Sequence, residues 1–226
     1  MDSPGEFGFF EPTWAPDGSH LAYVLQNDLY ARRDIHSSPV RITATGDIGL
    51  PACLSWARNG YLTFRTPARH TFRLWVVRSD GSDRREIASG LCGTLSLAGD
   101  RMVYMNGDLW LVSLDGSDPR PLTSGRNFLP GIWSPDGTRI LAVGYSSEQP
   151  DDRALYVIDP ENGRMQQLTE DLPVGALPAW SPDGQFIAFS AKREGRSGIY
   201  VIRADGTGLT RIATPEEAAM PRWASH

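Results

Sequence analysis

The amino-acid sequence predicts an all-β fold, a β-propeller of four-stranded antiparallel blades. A module returns five times along the chain, with anchor positions 36 to 47 residues apart, a period typical of propeller blades. Each copy consists of short apolar runs bounded by glycine, proline and aspartate, a composition typical of strands and tight turns. No segment repeats its apolar residues at helical spacing, so helices are not expected. We predict five full blades plus the first strand of a sixth.

The module is clearest between Leu177 and Ala213, where all four strands are recognisable. Its first strand carries an anchor tryptophan, and a proline-aspartate-glycine turn follows, because proline presets φ and glycine accepts a positive φ. The second strand is a short apolar run, the third contains an aromatic residue, and an Asp-Gly or Asn-Gly pair predicts the hairpin to the fourth. The predicted blades form a single domain and cover residues 11–43, 51–88, 92–123, 130–169 and 177–213, with a partial repeat at 219–226.

The other strands follow in the same order in every copy. We predict second strands at Leu21–Leu25, Tyr61–Phe64, Met102–Met105, Ile140–Val143 and Phe186–Phe189. Third strands are predicted around Leu29-Tyr30, Leu74–Val77, Leu109–Val112, Leu155–Ile158 and Ile199–Ile202. The fourth strands that close the blades are predicted at Val40–Thr43, Arg85–Ala88, Arg120–Thr123, Gln167–Thr169 and Thr210–Ala213.

The anchor tryptophans admit a structural and a functional interpretation. An exposed indole can stack on a ligand such as a sugar, whereas a large flat side chain repeated at one register fills the space between neighbouring sheets. We favour the second interpretation, and we expect Trp14, Trp56, Trp133 and Trp180 to be buried between blades. The full set of repeat anchors is Trp14, Trp56, Trp133, Trp180 and Trp223, and Leu97 takes the position in one degenerate copy.

The composition excludes several classes of function. The net charge is −5, with acidic and basic residues interspersed, which argues against a nucleic-acid groove because such a groove needs a dense basic stripe. The apolar runs are too short to span a bilayer. Residues 1–10 lack the basic start and apolar core of a secretory leader, which predicts a cytoplasmic protein for the sequence as written.

The two cysteines, Cys53 and Cys92, fall on the predicted innermost strands of adjacent blades and do not form a C-x-x-C motif. We expect both to be buried free thiols, since an unpaired cysteine behaves as a small apolar residue. A disulfide requires that their Cα atoms approach within about 7 Å, and the sequence leaves that possibility open.

The run Pro178–Gly184, followed by Ile187–Phe189, Ile199–Val201 and Asp205-Gly206, resembles the repeat of the TolB-like, WD-repeat-like propeller family. Related modules occur in the propeller domains of tricorn protease, dipeptidyl peptidase IV and acylaminoacyl peptidase. The resemblance extends from Glu11 to Ser225. It implies a non-enzymatic protein-interaction scaffold, periplasmic in TolB if a leader has been removed. The alternative that it implies is the substrate-gating propeller of a serine peptidase, without its catalytic domain.

The sequence contains no recognisable catalytic motif. The nucleophile motif G-x-S-x-G is absent, since Gly144–Glu148 lacks the second glycine. The four histidines are His20, His36, His70 and His226, and their spacing predicts no local metal cluster. We expect no metal, no cofactor and no enzymatic activity, and a carbohydrate-active metal enzyme is a remote third possibility.

Strand alternation predicts two different ends for every blade. The first-to-second and third-to-fourth turns share one end, which we name the tight-turn end; the remaining connections share the other, which we name the long-loop end. Aspartates concentrate at the tight-turn end, where we interpret them as turn-forming residues: Asp17, Asp80, Asp83, Asp115, Asp118, Asp136, Asp183 and Asp205. The long-loop end is mostly basic, with acidic residues in the segment Tyr145–Arg153. We predict that a protein or peptide partner with an acidic or mixed surface docks there, contacting Arg65, Arg69, His70, Arg73, Arg126, Lys192, Arg193 and Arg196.

The partial repeat at 219–226 leaves three hypotheses for how the array is completed. The chain forms a five-bladed ring to which the tail adds a strand, or it is a fragment of a larger propeller. In the third hypothesis, an incomplete ring oligomerises and a second copy covers the open face, because a repeat array must cap its terminal faces.

Overall fold

The computed structural model describes residues 12–34, 36–44, 46–49, 52–146, 148–149, 151–170, 172–175, 178–193, 196–212 and 223. Within these ranges the regular secondary structure consists of β-strands, with no helix, and the all-β prediction is confirmed. Accordingly, this part of the chain has no helix with the length and apolar character needed to cross a membrane.

The described strands form five antiparallel sheets, and the predicted propeller fold of four-stranded blades is confirmed. The first sheet contains β1 (Thr13–Trp14), β2 (Leu21–Leu25), β3 (Asp28–Arg32) and β4 (Val40–Arg41). The second contains β5 (Ser55–Trp56), β6 (Tyr61–Pro67), β7 (Phe72–Arg78) and β8 (Arg85–Gly90). The third contains β9 (Cys92–Leu95), β10 (Arg101–Asn106), β11 (Asp108–Ser113) and β12 (Arg120–Pro121).

The fourth and fifth sheets repeat the plan with small additions. The fourth contains β13 (Asn127–Phe128), β14 (Ile132–Trp133), β15 (Ile140–Tyr145), β16 (Arg153–Ile158) and β17 (Met165–Gln167), and both β13 and β14 pair with β15. The fifth contains β18 (Ala179–Trp180), β19 (Phe186–Arg193), β20 (Arg196–Arg203) and β21 (Thr210–Ile212). The predicted partial sixth repeat lies outside the described residues apart from Trp223.

The chain divides into two compact units, Met1–Met102 with Val112–Asp118, and Val103–Leu111 with Pro119–His226. In the first unit, Val24 and Leu29 of the first sheet share a core with Leu62 and Phe64 of the second. In the second unit, the fourth and fifth sheets pack together through Leu141, Val143, Leu155, Ile187 and Phe189. The middle strand β15 is buried on both faces along most of its length, which explains why its sequence is continuously apolar.

The anchor tryptophans were predicted to be buried, and the structure agrees at some positions but not at Trp14. Trp133 and Trp180 are only 8% exposed, as expected, and Trp56 is partly buried. Trp14, by contrast, is 60% exposed, so the prediction that it is buried between blades is wrong. The reason is visible at Trp180, whose Nε1 donates to the Ile132 carbonyl of the preceding module at 3.1 Å. Trp14 belongs to the first module, and no module precedes it within the described residues.

The expectation of free thiols is also wrong. Cys53 and Cys92 form a disulfide, with their Cα atoms 5.6 Å apart. Cys53 lies in the connection before β5 and Cys92 opens β9, so the bond joins the second and third sheets at the starts of their innermost strands. Neither residue is fully buried. The sequence expectation failed because cysteines 39 residues apart become neighbours only through the stacking of successive blades.

Candidate functional site

Six of the eight aspartates predicted at the tight-turn end are bound into their own turns, whereas Asp83 accepts hydrogen bonds from the Tyr61 hydroxyl and from Arg85. Asp17 accepts hydrogen bonds from the hydroxyl and the N–H of Ser19, and these bonds lower the pKa of its carboxyl group. In each of these turns the aspartate accepts the N–H of the residue two positions later at 2.9–3.0 Å, the mechanism by which aspartate stabilises turns. The set comprises Asp17, Asp80, Asp115, Asp136, Asp183 and Asp205.

A threonine two residues after the fourth strand makes the same hydrogen bond in three blades. The hydroxyl groups of Thr43, Thr123 and Thr169 accept the backbone N–H of Leu29, Leu109 and Leu155 at 2.9–3.0 Å. All three threonines are buried, so each hydroxyl satisfies a donor that would otherwise lack water. The predicted fourth strands end at these threonines, but the sequence analysis assigned them no role. Their constant spacing of 14 residues from the leucine was the available indication.

In the first blade this threonine is part of a buried polar cluster around Asp28. The carboxylate accepts hydrogen bonds from Arg41 at 2.5 Å, from the Thr43 hydroxyl at 3.0 Å and from the Gly46 N–H at 3.0 Å. Burial by itself raises the pKa of Asp28, but the bonds from Gly46, Arg41 and Thr43 outweigh it and hold the pKa below its ordinary value. The cluster is a structural clamp, because its bonds tie β3 to β4 and to the connection that follows β4.

Arg65, a predicted binding residue, is instead part of the interior. It lies on β6 and is 6% exposed, its guanidinium donates to the Leu91 carbonyl, and its Cζ lies 3.7 Å from the centre of the Phe72 ring. We therefore remove Arg65 from the proposed docking surface. Sequence reasoning placed it on a loop because β6 was predicted to end at Phe64, whereas pairing with β7 continues to Pro67.

The other predicted residues of the first unit are exposed on one hairpin. Arg69 and His70 lie in the short connection between β6 and β7, and Arg73 lies on β7 with its guanidinium 3.8 Å from the Glu86 carboxylate. A surface pair at this distance contributes little stability. The hairpin therefore keeps three basic side chains at the long-loop end of the second sheet.

The predicted cations of the second unit also lie mostly on strands. Lys192 and Arg193 are exposed at the end of β19, and Arg196 begins β20. The register pairs Lys192 with Ser197 and Arg193 with Arg196, so the segment predicted as an irregular loop is an extended hairpin. Arg126 is exposed, and its guanidinium lies 5.8 Å from the centre of the Tyr156 ring.

A cleft of about 600 Å³ lies beside this hairpin in the second unit. Its floor is the connection between the fourth and fifth sheets, which is hydrogen-bonded to both. The Val174 N–H donates to the Arg153 carbonyl at 3.0 Å, and the Gly175 N–H donates to the Ser190 carbonyl at 2.7 Å. The lining residues are Asp151, Arg153, Pro173, Val174, Gly175, Ser190, Ala191, Lys192 and Ser197.

Three of the connections between successive sheets contain a buried apolar residue, which the sequence analysis did not identify. Val174 is buried, as are Ile48 and Phe128 at the corresponding places in other connections. The Ile48 N–H donates to the Asn27 carbonyl at 3.1 Å, which repeats the Val174 bond to Arg153. The available sequence indication was an apolar residue five positions after the threonine in each case: Ile48, Phe128 and Val174 after Thr43, Thr123 and Thr169. The connections are therefore held to the neighbouring sheets by hydrogen bonds at Ile48 and at Val174.

Within the described ranges, no three His, Cys, Asp or Glu side chains are grouped closely enough to hold a metal ion. In the second unit, the exposed Lys192 and Arg193 lie beside the open cleft.

Two family models match the chain. The model described as TolB beta propeller domain matches residues 61–226, and the model of the dipeptidyl peptidase IV N-terminal region matches residues 9–56. An uncharacterized protein of Agrobacterium fabrum is 32% identical over 94 residues, which is 42% of this chain and 30% of that protein. The chain thus spans less than a third of this curated relative. The family resemblance inferred from the repeat is confirmed.

Solved structures share the fold at low sequence identity. An oligogalacturonate lyase in complex with manganese superposes with a TM-score of 0.74 and 18% identity, covering 89% of this chain and 64% of the lyase. TolB from Acinetobacter baumannii superposes with a TM-score of 0.69 and 18% identity, covering 92% of this chain and 54% of TolB. At this identity the likeness concerns the fold alone.

Proposed function

The chain belongs to the TolB β-propeller domain family, and we propose that it is a non-enzymatic scaffold that binds a partner protein at the long-loop end. The observation that carries the proposal is the basic hairpin β19–β20 beside the cleft of the second unit. Propellers host many activities, so the argument depends on this site and not on the fold.

The charge of the hairpin favours an anionic partner surface. Lys192 and Arg193 are exposed, and no acidic side chain pairs with either of them among the residues that the structure describes. The register sets Arg193 opposite Arg196, so the hairpin end carries three cationic residues in sequence positions 192, 193 and 196. A carboxylate supplied by a partner would neutralise the exposed Lys192 and Arg193.

The cleft supplies shape and a rigid support. Its floor at Val174 and Gly175 is hydrogen-bonded to strands of two sheets. This part of the backbone is already ordered, so the domain would lose little conformational entropy there when a partner binds. Asp151 and Arg153 line the cleft together with Lys192. We therefore expect a mixed partner surface in which acidic groups contact the hairpin and neutral or basic groups enter the cleft.

Affinity capture from an extract of the source organism, followed by mass spectrometry, tests the proposal. The immobilised wild-type domain is compared with the triple variant Lys192→Glu, Arg193→Glu, Arg196→Glu, and with Arg164→Glu as a charge-reversal control outside the proposed site. Arg164 is exposed between β16 and β17, at the tight-turn end of the fourth sheet. We expect wild type and the control to retain the same protein, in a salt-dependent manner, and the triple variant to lose it. Equal retention by the triple variant contradicts the docking site.

A second candidate is the substrate-gating propeller of a serine peptidase, which the match of residues 9–56 to the dipeptidyl peptidase IV N-terminal region favours. The same capture distinguishes the two functions if the retained proteins are treated with a fluorophosphonate probe, which labels active-site serines. Labelling of a captured or covalently continuous hydrolase supports gating. A captured partner without labelling supports the scaffold.

We also propose that the domain functions in an oxidising compartment. The disulfide between Cys53 and Cys92 supports this location, because disulfides persist outside the reducing cytosol. Cells quenched in acid and treated with a thiol-alkylating reagent before lysis give the test. Both cysteines should resist alkylation until a reductant is added, and alkylation without reductant would contradict the location.

A further inference from the structure

We propose that the Asn106-Gly107 pair is a modification site, at which the Asn106 amide is converted without an enzyme to aspartate and isoaspartate. The chain contains three Asn-Gly pairs, Asn59-Gly60, Asn106-Gly107 and Asn162-Gly163. Asparagine is a thermolabile residue, and a following glycine favours its cyclisation because no side chain hinders the attacking backbone nitrogen. The surroundings of the three pairs differ, and the proposal is independent of the docking surface.

The Asn59-Gly60 pair is held by hydrogen bonds at both reacting groups. The Asn59 Nδ2 donates to the Gly99 carbonyl at 2.9 Å, and the Asn59 Oδ1 accepts the Tyr61 N–H at 3.3 Å. The Gly60 N–H, which carries the attacking nitrogen, donates to the Ala57 carbonyl at 3.0 Å. Cyclisation at Asn59 therefore requires that bonds of the side chain and of the glycine nitrogen break first.

The Asn162-Gly163 pair has the same protection. The Asn162 Nδ2 donates to the Asp159 carboxylate at 2.7 Å, and its Oδ1 accepts the Arg164 N–H at 2.8 Å. The Gly163 N–H donates to the Asp159 carbonyl at 2.9 Å. Because Asn162 is exposed, its protection comes from these bonds and not from burial.

The Asn106-Gly107 pair lacks both kinds of bond. Asn106 is the last residue of β10, Gly107 connects it to β11, and both are exposed. Within the described part of the chain, neither the Asn106 side chain nor the Gly107 N–H makes a hydrogen bond. Apart from the chain neighbours of Gly107, no described atom lies within 4 Å of the point where a Cβ would stand on this residue. The pair is therefore open and free to cyclise.

The conversion balances with water as the only co-reactant. The Gly107 nitrogen loses its proton and attacks Cγ of Asn106, the bond from Cγ to Nδ2 breaks, and Nδ2 leaves as ammonia with that proton. Water then opens the succinimide ring. Cleavage between the nitrogen and Cγ gives aspartate, whereas cleavage between the nitrogen and the main-chain carbonyl carbon gives isoaspartate. Both products place a carboxylate at the long-loop end of the third sheet, and isoaspartate also routes the backbone through Cβ and Cγ.

Peptide mapping of the folded protein tests the site. The wild-type chain is incubated at mildly alkaline pH, digested in mild acid, and analysed by mass spectrometry that separates the asparagine, aspartate and isoaspartate peptides. We expect Asn106 to react roughly tenfold or more faster than Asn59 or Asn162, the rate ratio that corresponds to breaking two hydrogen bonds of ordinary net strength. Equal rates at the three sites, or a faster reaction at Asn59 or Asn162, would overturn the proposal.

The chain unfolded in guanidinium chloride is the control, because it has none of these bonds. The three pairs should then react at similar rates, since glycine follows each asparagine. An Asn106 that reacts in the unfolded chain but is stable in the folded one contradicts the proposal, and an unchanged preference for Asn106 after unfolding would show that the fold does not select the site.

A methyltransferase specific for isoaspartyl residues gives a second readout. It should methylate the aged wild-type protein and leave aged Asn106→Gln, which cyclises far less readily, almost unmethylated. Equal methylation of the two folded proteins would assign the isoaspartate to another residue and contradict the proposal.

The protection of Asn162 is tested by removing its acceptor. Asp159→Ala should raise the rate at Asn162 several-fold and leave the rate at Asn106 unchanged. Asp152→Ala, which removes an exposed aspartate just before β16, is the matched control and should change neither rate. If Asp159→Ala is folded by circular dichroism and Asn162 still reacts as slowly as in wild type, hydrogen bonding is not the cause of the selectivity. If that variant does not fold, the comparison of folded with unfolded wild type decides.

Discussion

The indole Nε1 of Trp180 donates a hydrogen bond of 3.1 Å to the carbonyl of Ile132, the residue immediately before the anchor of the preceding module. Trp223 repeats the relationship one module later, with its Nε1 3.1 Å from the carbonyl of Ala179. The anchor therefore joins successive blades through a directional bond as well as through packing. This explains why tryptophan, and not another large apolar residue, recurs at the position.

Replacing Trp180 is expected to weaken the junction between the fourth and fifth sheets. Trp180→Ala should lower the free energy of unfolding by about 3–5 kcal/mol, because a buried indole is lost and a cavity remains. Trp180→Phe should cost less, but the Ile132 carbonyl loses its donor, for about 1 kcal/mol or more. Urea unfolding followed by circular dichroism measures both. Trp14→Ala, at an exposed anchor, is the control and should lower the free energy of unfolding by less than either Trp180 variant. If it costs as much as Trp180→Ala, Trp180 has no special role in joining the fourth and fifth sheets.

Removing the hydroxyl of Thr169 is expected to leave a buried backbone N–H without a hydrogen-bond acceptor. In Thr169→Val the N–H of Leu155, bonded to the hydroxyl at 3.0 Å, loses its acceptor, at a cost of about 1–3 kcal/mol. Thr169→Ser should restore most of the stability because it keeps the acceptor. Thr210→Val is a matched control, since the Thr210 hydroxyl is exposed. Equal stability of the valine and serine variants in chemical denaturation would show that the hydroxyl has no such role.

The Asp28 cluster predicts a specific dependence of stability on pH. The pKa of Asp28 is held below its ordinary value of 3.8, so its contribution is fully present above that value. It is lost as the pH falls through the lower folded-state pKa. Asp28→Asn should therefore destabilise the protein at pH 7, and the difference from wild type should shrink as the pH falls below about 3.8. Asp151→Asn, at an exposed carboxylate, is the control. If the difference in unfolding free energy between wild type and Asp28→Asn stays constant across this pH range, the Asp28 carboxylate does not stabilise the blade through these bonds.

Gly175 is expected to be intolerant of a side chain. A Cβ at this position would lie 2.0 Å from the Ser190 Oγ, so Gly175→Ala should force a shift in the connector and cost about 1–3 kcal/mol. The second change Ser190→Ala removes the nearest atom and should recover part of the loss, making the two effects non-additive. Thermal unfolding of the single and double variants measures the coupling. Strict additivity would mean that the two residues do not meet.

The repeats and their strands were predictable because the responsible forces are local. Turn residues such as Pro182 and Gly184 act within a few positions, and alternation of apolar residues follows from the geometry of a strand. Exact strand ends were not predictable, because β6 and β19 continue past their apolar cores into residues such as Arg65 and Lys192. Pairing with the neighbouring strand, which sequence composition does not report, extends them.

The candidate site was only partly predictable for a related reason. Sequence reasoning assigned positive charge to the long-loop end, and Arg69, His70, Arg73, Arg126, Lys192 and Arg193 are exposed there. It did not find the cleft floor at Val174, because a buried residue inside a polar connection is recognisable only from the two sheets that it contacts. The docking role of these cations stays a prediction.

The sequence by itself determined that this chain is a series of four-stranded β modules, since spacing, turn chemistry and apolar runs all act within one module. The tertiary structure decided which of the equivalent residues are buried and which residues are covalently paired. Trp14 is exposed while Trp180 is buried, and Cys53 is bonded to a residue 39 positions away. The physical reason is that burial and covalent pairing depend on the neighbouring blade, whose surface is assembled only when the modules pack.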